Sequence, residues 1–173
     1  MICPHCGFNN IPGSEECAQC LQDLTHLDRP APQDHIERCL MEEAVEVLQP
    51  TRPVTLWPSA SLRQAIQTMV AHNVGALLIV DEDGHLAGIL TERDLLMRVV
   101  GLHERFEDLP VSMFMTCEPE TISLRDKLVF ALHKMDCGDY RHLPVVDTER
   151  RAVGVISVRD MLRYLAALCK NHE

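Results

Sequence analysis

The sequence is poor in aromatic residues and has no long apolar run. Phe, Trp and Tyr together make up 4% of the 173 residues, so the core must consist of aliphatic side chains and methionine. A membrane-spanning helix needs about 18 or more consecutive apolar residues, and we expect none. The N-terminal "MICPHCGF" lacks the charged and apolar regions of a secretory signal peptide. These absences predict a cytoplasmic protein.

Positive charge and catalytic motifs are also scarce. Lys and Arg number 16 against 26 Asp and Glu, which gives a formal net charge of -10. Nucleic acids and anionic membranes are bound through basic patches, so we expect neither as a partner. The sequence contains no G-x-S-x-G, P-loop or H-E-x-x-H motif. We therefore expect a protein that is not an enzyme.

Cysteine, by contrast, is frequent near the N-terminus. The segment "CPHCGFNNIPGSEECAQC" contains two C-x2-C pairs, formed by Cys3, Cys6, Cys17 and Cys20. In a reducing compartment such a cluster is more typical of a metal site than of disulfides. Two C-x2-C turns complete a tetrahedron of thiolates that leaves no open position, so the site is expected to be structural. Zinc is the expected metal, and iron is the alternative because four sulfur ligands suit both.

Residues 1–28 resemble a zinc ribbon. Gly7 follows the first C-x2-C and can adopt the backbone turn that directs N–H groups at sulfur, whereas the second pair is followed by Leu21. A segment this short has little core, and metal binding can supply its folding free energy. It contains no Lys or Arg, so we expect a docking or scaffolding role. The alternative is a rubredoxin-like redox protein that holds iron.

A linker and a helix follow the cysteine segment. The proline-containing "RPAPQD" (29–34) is expected to separate two units. Asp34 and Glu37 have the spacing of a helix capping box, and apolar residues then recur on one face. The pattern predicts a helix over 35–50 that ends at Pro50.

The rest of the chain contains an internal repeat. A shift of 66 places residues 48–98 on 114–164 without a gap. Each copy predicts the order β-α-β-β-α, and Thr91 and Ser157 are expected to cap the closing helices. The turn "DEDGH" is typical of a tight hairpin, whereas "DTERR" in the second copy predicts a looser or differently built turn. Two copies of one unit are expected to bury their apolar faces together.

Both copies end in Gly-x-x-(Thr/Ser)-x-x-Asp, within "GALLIVDEDGHLAGILTERDLL" and "RHLPVVDTERRAVGVISVRDML". This pattern resembles the tandem CBS pair, named for cystathionine β-synthase. The copies span 48–104 and 112–169, and "FMT" (114–116) matches the family's usual lead-in. The expected fold is α/β (α+β), with two β-α-β-β-α CBS repeats packed as a pair after a small zinc ribbon.

The resemblance implies a regulatory module that binds an adenine nucleotide (AMP, ADP or ATP), or alternatively S-adenosylmethionine, in the clefts between the repeats. By resemblance, Asp94 and Asp160 hold ribose, and Thr91 and Ser157 lie near phosphate. The residue types agree with these roles. A helix N-terminus favours an anion, and one carboxylate can accept hydrogen bonds from both ribose hydroxyls.

Two further assignments also follow from the resemblance. Arg141 and His142 match a position that often meets phosphate, whereas the first copy has Gly75-Ala76 there. The clefts are therefore expected to differ, with the one built on Asp160 favoured for the nucleotide. Thr55 and Thr121 match the family's adenine pocket.

Two questions remain open at the level of sequence. The cap residues and their aspartates could serve only the helices, which would leave a structural interaction module with degenerate sites. The resemblance also implies a homodimer formed through the CBS helices, in addition to an unknown protein partner. The apolar stripes in "DLLMRVV" and "MLRYLAALC" fit that contact, and they fit burial between the two repeats equally well.

Overall fold

The computed structural model describes residues 1–11, 13–25, 32 and 34–170. It divides into two compact units, Met1–His35 and Ile36–Glu173. The first unit contains two short turns, each closed by an isolated antiparallel bridge, Ile2 with Asn9 and Glu16 with Asp23. The expected linker 29–34 lies outside the described residues except for positions 32 and 34.

From His35 onwards, the described residues form five α-helices, six strands and three 3-10 turns at Val45–Leu48, Phe106–Asp108 and Val111–Met113. The helices are α1 (His35–Glu42), α2 (Leu62–His72), α3 (Glu92–Arg98), α4 (Leu128–Gly138) and α5 (Val158–Lys170). The strands are β1 (Thr55–Leu56), β2 (Ala76–Val80), β3 (Leu86–Thr91), β4 (Thr116–Cys117), β5 (His142–Val146) and β6 (Ala152–Ser157). The β-α-β-β-α order is thus present in the first repeat, and the second follows it with its first strand reduced to one bridge.

The two repeats exchange their lead-in segments. In the first repeat β1 pairs in parallel with β2, and β2 pairs antiparallel with β3. The fourth strand of that sheet is β4, which precedes the second repeat in the chain. In return, Thr51 forms an antiparallel bridge with Val155 in β6 of the second repeat. In the second repeat, a parallel bridge between Ile122 and Val145 corresponds to the parallel β1–β2 pair of the first repeat.

Each repeat has its own core, and a third cluster joins them. Leu62, Leu77 and Leu90 are fully buried in the first core. Leu128 and Leu143 are fully buried in the second. The outer face of the β2–β3 hairpin contributes a further apolar cluster, packed against two residues of the other hairpin; its members are Ala76, Leu78, Leu86, Ile89, Val146 and Ala152. All five residues of β2 are therefore buried, which explains its uninterrupted apolar sequence.

Two local predictions need correction. The helix expected over 35–50 is interrupted after Glu42, and a 3-10 turn follows at Val45–Leu48. The break arises because the intervening backbone pairs with the second repeat: the Val45 N–H donates to the Asp126 carbonyl and the Leu128 N–H to the Glu43 carbonyl. Such tertiary hydrogen bonds replace those that a continuous helix would make.

The second hairpin turn is also built like the first. Asp81 accepts N–H bonds from Asp83 and His85. Asp147 does the same for Glu149 and Arg151. Gly84 in the first turn has φ of +83°, and Arg150 in the second has φ of +60°. An arginine thus occupies the left-handed position that glycine takes in the first copy, and the turn is not looser.

Candidate ligand clefts and metal centre

The four N-terminal cysteines lie close enough to share one metal ion. Their Sγ atoms all lie within 4.8 Å of one another. Cys3 and Cys20 are separated by 3.7 Å, and Cys6 and Cys17 by 3.6 Å. A tetrahedron with metal–sulfur distances of about 2.3 Å has edges of about 3.8 Å. The donor set and spacing therefore fit a tetrahedral metal such as zinc.

Two similar backbone turns hold these cysteines. The Gly7 N–H donates to the Cys3 carbonyl at 2.9 Å, and the Leu21 N–H donates to the Cys17 carbonyl at 2.9 Å. Both donor residues have a left-handed backbone conformation, with φ of 74° for Gly7 and 58° for Leu21. The second turn thus has the geometry of the first, although its residue has a β-carbon that disfavours this conformation.

Asn10 connects the two turns and is not among the residues that the sequence predicts for the metal site. Its side-chain amide donates to the Phe8 carbonyl at 3.1 Å and approaches the Cys17 sulfur at 3.6 Å. Its side-chain oxygen accepts from the Ala18 N–H at 2.9 Å. Among the described residues, Asn10 is the one with a buried polar side chain. Its position between the two C-x2-C pairs could have indicated this role, because a buried polar side chain needs hydrogen-bond partners.

The thiol pKa values show how strongly the four sulfurs interact. Burial, the strongest influence on Cys17, raises its pKa, but N–H groups of Cys20 and Gln19 and the Asn10 amide together lower it to about 6. For Cys20 the Gln22 N–H lowers the pKa, but burial and the three neighbouring thiols outweigh it and raise the pKa to about 12. Four neighbouring thiolates require a cation, because like charges disfavour ionisation.

One cleft of the second unit, which we call cleft 1, lies between the repeats. It has a volume of about 1070 Å³ and brings together four of the residues expected at a nucleotide site, namely Arg141, His142, Ser157 and Asp160. Thr51 from the exchanged lead-in also lines it. Its apolar lining includes Ile66 and Met69 from α2 and Leu132 and Met135 from α4. Cleft 1 therefore combines an apolar surface with polar groups at the start of α5.

Asp160 is held at this helix start by its neighbours. One carboxylate oxygen, Oδ2, accepts from the Ser157 N–H at 2.8 Å and from the Ser157 hydroxyl at 2.7 Å. The other oxygen, Oδ1, accepts from the exposed Arg163 at 3.0 Å. A carboxylate oxygen can accept more than one hydrogen bond, so Oδ1 retains capacity for a ligand hydroxyl.

Arg141 and His142 stand at the start of β5. The Arg141 carbonyl accepts from the Val158 N–H at 3.0 Å, which fixes this segment beside α5. The Arg141 side chain is exposed, and His142 is half-buried. Burial lowers the pKa of His142, and the carboxylates of Glu92 and Asp160 oppose this effect. A neutral His142 can donate one ring N–H to an anion, and Arg141 can donate two.

The smaller cleft, cleft 2, has a volume of about 420 Å³ and is built around Thr91 and Asp94. The Asp94 Oδ2 atom accepts from the Thr91 N–H at 2.9 Å and from the Thr91 hydroxyl at 2.5 Å. The Arg98 Nη1 atom lies 3.6 Å from the other carboxylate oxygen of Asp94, Oδ1. Arg141 and His142 line this cleft as well as cleft 1. The expected ribose and phosphate residues therefore divide between two clefts that share a basic pair.

The two threonines expected near adenine are not among the residues that line the clefts. Thr55 is an exposed residue of β1, Thr121 is half-buried, and neither lines cleft 1 or cleft 2 in the described chain. Thr51 lines cleft 1 and Thr116 lines cleft 2 instead. The exchange of lead-in segments produces this arrangement. The "FMT" segment (114–116), which matches the family's lead-in, is the feature of the sequence that could have indicated Thr116 as a lining residue.

Comparison with known proteins identifies the fold. The family model of the CBS domain matches residues 44–101 and 111–167. A CBS domain-containing protein of Arabidopsis thaliana, CBSCBSPB5, is 36% identical over 72% of this chain. The chain spans 22% of that relative's length. This chain therefore belongs to the CBS-domain family and contains a tandem pair of these domains.

Two solved structures are similar to the second unit. The CBS domain pair of protein MJ0100, in complex with 5′-methylthioadenosine and S-adenosyl-L-methionine, has a TM-score of 0.65 and 26% identity and covers 72% of this chain and 97% of that one. A CBS domain protein of Pyrobaculum aerophilum, complexed with AMP, has a TM-score of 0.64 and 26% identity, with coverages of 72% and 99%. Within the described residues, no helix has the length and hydropathy to cross a membrane.

Proposed function

We propose that this chain is a regulatory, non-catalytic module that binds an adenine nucleotide in cleft 1. The observation that carries the proposal is the convergence of Asp160, Ser157 and the Arg141–His142 pair on one cleft with an apolar wall. The AMP-bound relative supports the adenine nucleotide as the ligand class. S-adenosylmethionine is the alternative, supported by the MJ0100 complex.

Each polar group has a distinct role in this proposal. Asp160 accepts hydrogen bonds from the ribose hydroxyls. Arg141 binds the phosphate in a bidentate manner, and His142 donates a further hydrogen bond. The first turn of α5 faces the same anion, which its dipole favours. Regulation requires that the ligand bind one arrangement of the repeats more tightly than another.

The proposal is tested by calorimetric titration of the purified chain with AMP, ADP, ATP and S-adenosylmethionine. Asp160→Asn retains an oxygen for the Ser157 contacts but removes the charge that ribose hydroxyls prefer, so we expect AMP to bind at least tenfold more weakly, about 1.4 kcal/mol. Thr55→Val, at an exposed site outside both clefts, is the control with unchanged affinity. No binding of any of the four ligands at millimolar concentration contradicts the proposal and favours a structural interaction module.

We further propose that Cys3, Cys6, Cys17 and Cys20 hold a structural zinc ion. The sulfur spacing supports a tetrahedral ion, and four thiolates leave no open coordination position. Bound zinc supplies folding free energy to the first unit. Metal analysis should give one zinc per chain in a colourless protein. A coloured protein with iron at this site supports the rubredoxin-like alternative instead.

Finally, we propose that two chains associate through the CBS helices. On α3, Leu95 is buried, but Leu96 and Met97 are 67% and 69% exposed. On α5, Met161 is buried and Leu162 is 59% exposed. Each helix thus packs one apolar side inside its chain and presents another to the outside, where a partner can cover it.

A further inference from the structure

Clefts 1 and 2 share one pair of basic residues. Arg141 and His142 line both clefts, together with Glu92, Asp139 and Tyr140. Arg93, the other arginine of cleft 2, forms an ion pair with Asp139 at 2.7 Å. Cleft 1 has two additional arginines, Arg159 and Arg163. Arg141 is therefore the arginine that lines both clefts, and a phosphate in either cleft would draw on its guanidinium group.

The first repeat lacks an equivalent of this pair. The Glu92 N–H donates to the Gly75 carbonyl at 3.0 Å, as the Val158 N–H does to Arg141 at 3.0 Å. Gly75 thus stands at the backbone position of Arg141. A β-carbon at Gly75 would lie 3.1 Å from the Glu92 Oε2 atom. A carboxylate therefore occupies the place beside Gly75, where the second repeat has its basic side chain.

The remaining charges also separate the two clefts. Cleft 2 is lined by five carboxylates, namely Glu92, Asp94, Glu118, Glu120 and Asp139. Cleft 1 has four, and its three arginines offset most of their charge. In addition, α5 at cleft 1 has 13 residues, whereas α3 at cleft 2 has 7, so the longer helix directs the larger dipole at its cleft. An anion is thus disfavoured in cleft 2, but Asp94 can still accept ribose hydroxyls.

We infer that the chain binds one phosphorylated nucleotide at a time, in cleft 1, and that cleft 2 accepts an adenine nucleoside without phosphate beside it. This inference rests on the proposed function. Two phosphates at one guanidinium would repel each other across a short distance in a partly enclosed site. A second phosphorylated ligand should therefore bind at least tenfold more weakly than the first, whereas an uncharged nucleoside meets no such repulsion.

The test is a pair of calorimetric titrations of the full chain. AMP alone should give one site per chain, with any second site at least tenfold weaker. Adenosine added to the AMP-saturated protein should then bind with a stoichiometry of one. Asp94→Asn should weaken this adenosine binding by about tenfold and leave the AMP site unchanged. Asp160→Asn should weaken the AMP site instead, so the two variants assign the clefts.

The possible failures are distinguishable. Two equal and independent AMP sites per chain overturn the inference but leave the proposed function in place. AMP bound at one site with no adenosine binding to the saturated protein also overturns the inference. No AMP binding to the wild-type chain overturns the inference, and the absence of binding by ADP, ATP and S-adenosylmethionine as well contradicts the proposed function itself.

Discussion

The two cysteine turns differ in the residue that adopts the left-handed conformation, and this difference bears on the proposed metal site. Gly7 and Leu21 occupy equivalent positions, with φ of 74° and 58°. Glycine adopts this conformation without steric cost, whereas a residue with a β-carbon is disfavoured by roughly 1–2 kcal/mol. Leu21 is also 73% exposed, so its side chain gains little from burial inside its unit.

Leu21→Gly should therefore tighten metal binding. Relief of the left-handed strain is worth about 1 kcal/mol, which corresponds to about fivefold in affinity. Competition with a zinc chelator measures the change.

The matched variant is Gly7→Ala. A β-carbon at Gly7 meets no atom within 4 Å, so the substitution adds backbone strain without a clash. We expect about fivefold weaker binding. Equal zinc affinity in both variants and the wild-type chain would show that the turn conformation does not limit the site.

At the same scale, residue spacing predicted which side chains meet but not how they bond. The Thr/Ser-x-x-Asp spacing correctly placed Asp94 and Asp160 beside their cap residues. The sequence could not show that each aspartate uses Oδ2 for the cap while an arginine reaches Oδ1, since this depends on rotamers. Asn10 was missed because its partners lie in backbone turns that spacing does not define.

At the scale of elements, the exchange of lead-in segments explains which threonines line the clefts. Thr55 and Thr121 are the residues expected near adenine, whereas the segments that line the clefts are those of Thr51 and Thr116. Periodicity finds each strand and its repeat, yet it does not reveal that β4 pairs with the preceding repeat. Such pairing is a long-range contact that local sequence does not encode.

Thr91 caps the N-terminus of the short helix α3, and its contribution to stability can be measured. Thr91→Val removes a hydroxyl that accepts from the Asp94 N–H at 3.3 Å and donates to its carboxylate. We expect a loss of about 1 kcal/mol and a Tm lower by about 2–4 °C. The same change at exposed Thr55 should stay within about 0.5 kcal/mol. Equal Tm shifts for the two variants in thermal denaturation would contradict a capping role.

At the scale of the molecule, the 66-residue repeat predicted the pair of domains, and the family comparison confirmed it. The repeat could not show how far the copies diverge in charge, because that depends on which residues face each cleft. The Glu92 carboxylate beside Gly75 became visible only in the structure. Pseudo-symmetry of the fold therefore coexists with two chemically different clefts.

The association of two chains is a prediction at this scale. Light scattering after gel filtration should give twice the chain mass for the wild-type protein. The double substitution of Leu96 and Met97 by Glu should shift it to the monomer, because buried charge opposes the contact. Trp57→Glu, at another exposed apolar residue, is the control that remains dimeric. A monomeric wild-type chain at tens of micromolar would contradict the proposal.

The most direct test of the central proposal is a crystal structure of the chain grown with AMP. We expect AMP in cleft 1, with its ribose hydroxyls on Asp160 and its phosphate against Arg141 and His142. We also expect no phosphate in cleft 2. AMP bound at a site that does not contact Asp160, or clefts without nucleotide in crystals grown at millimolar AMP, would contradict it.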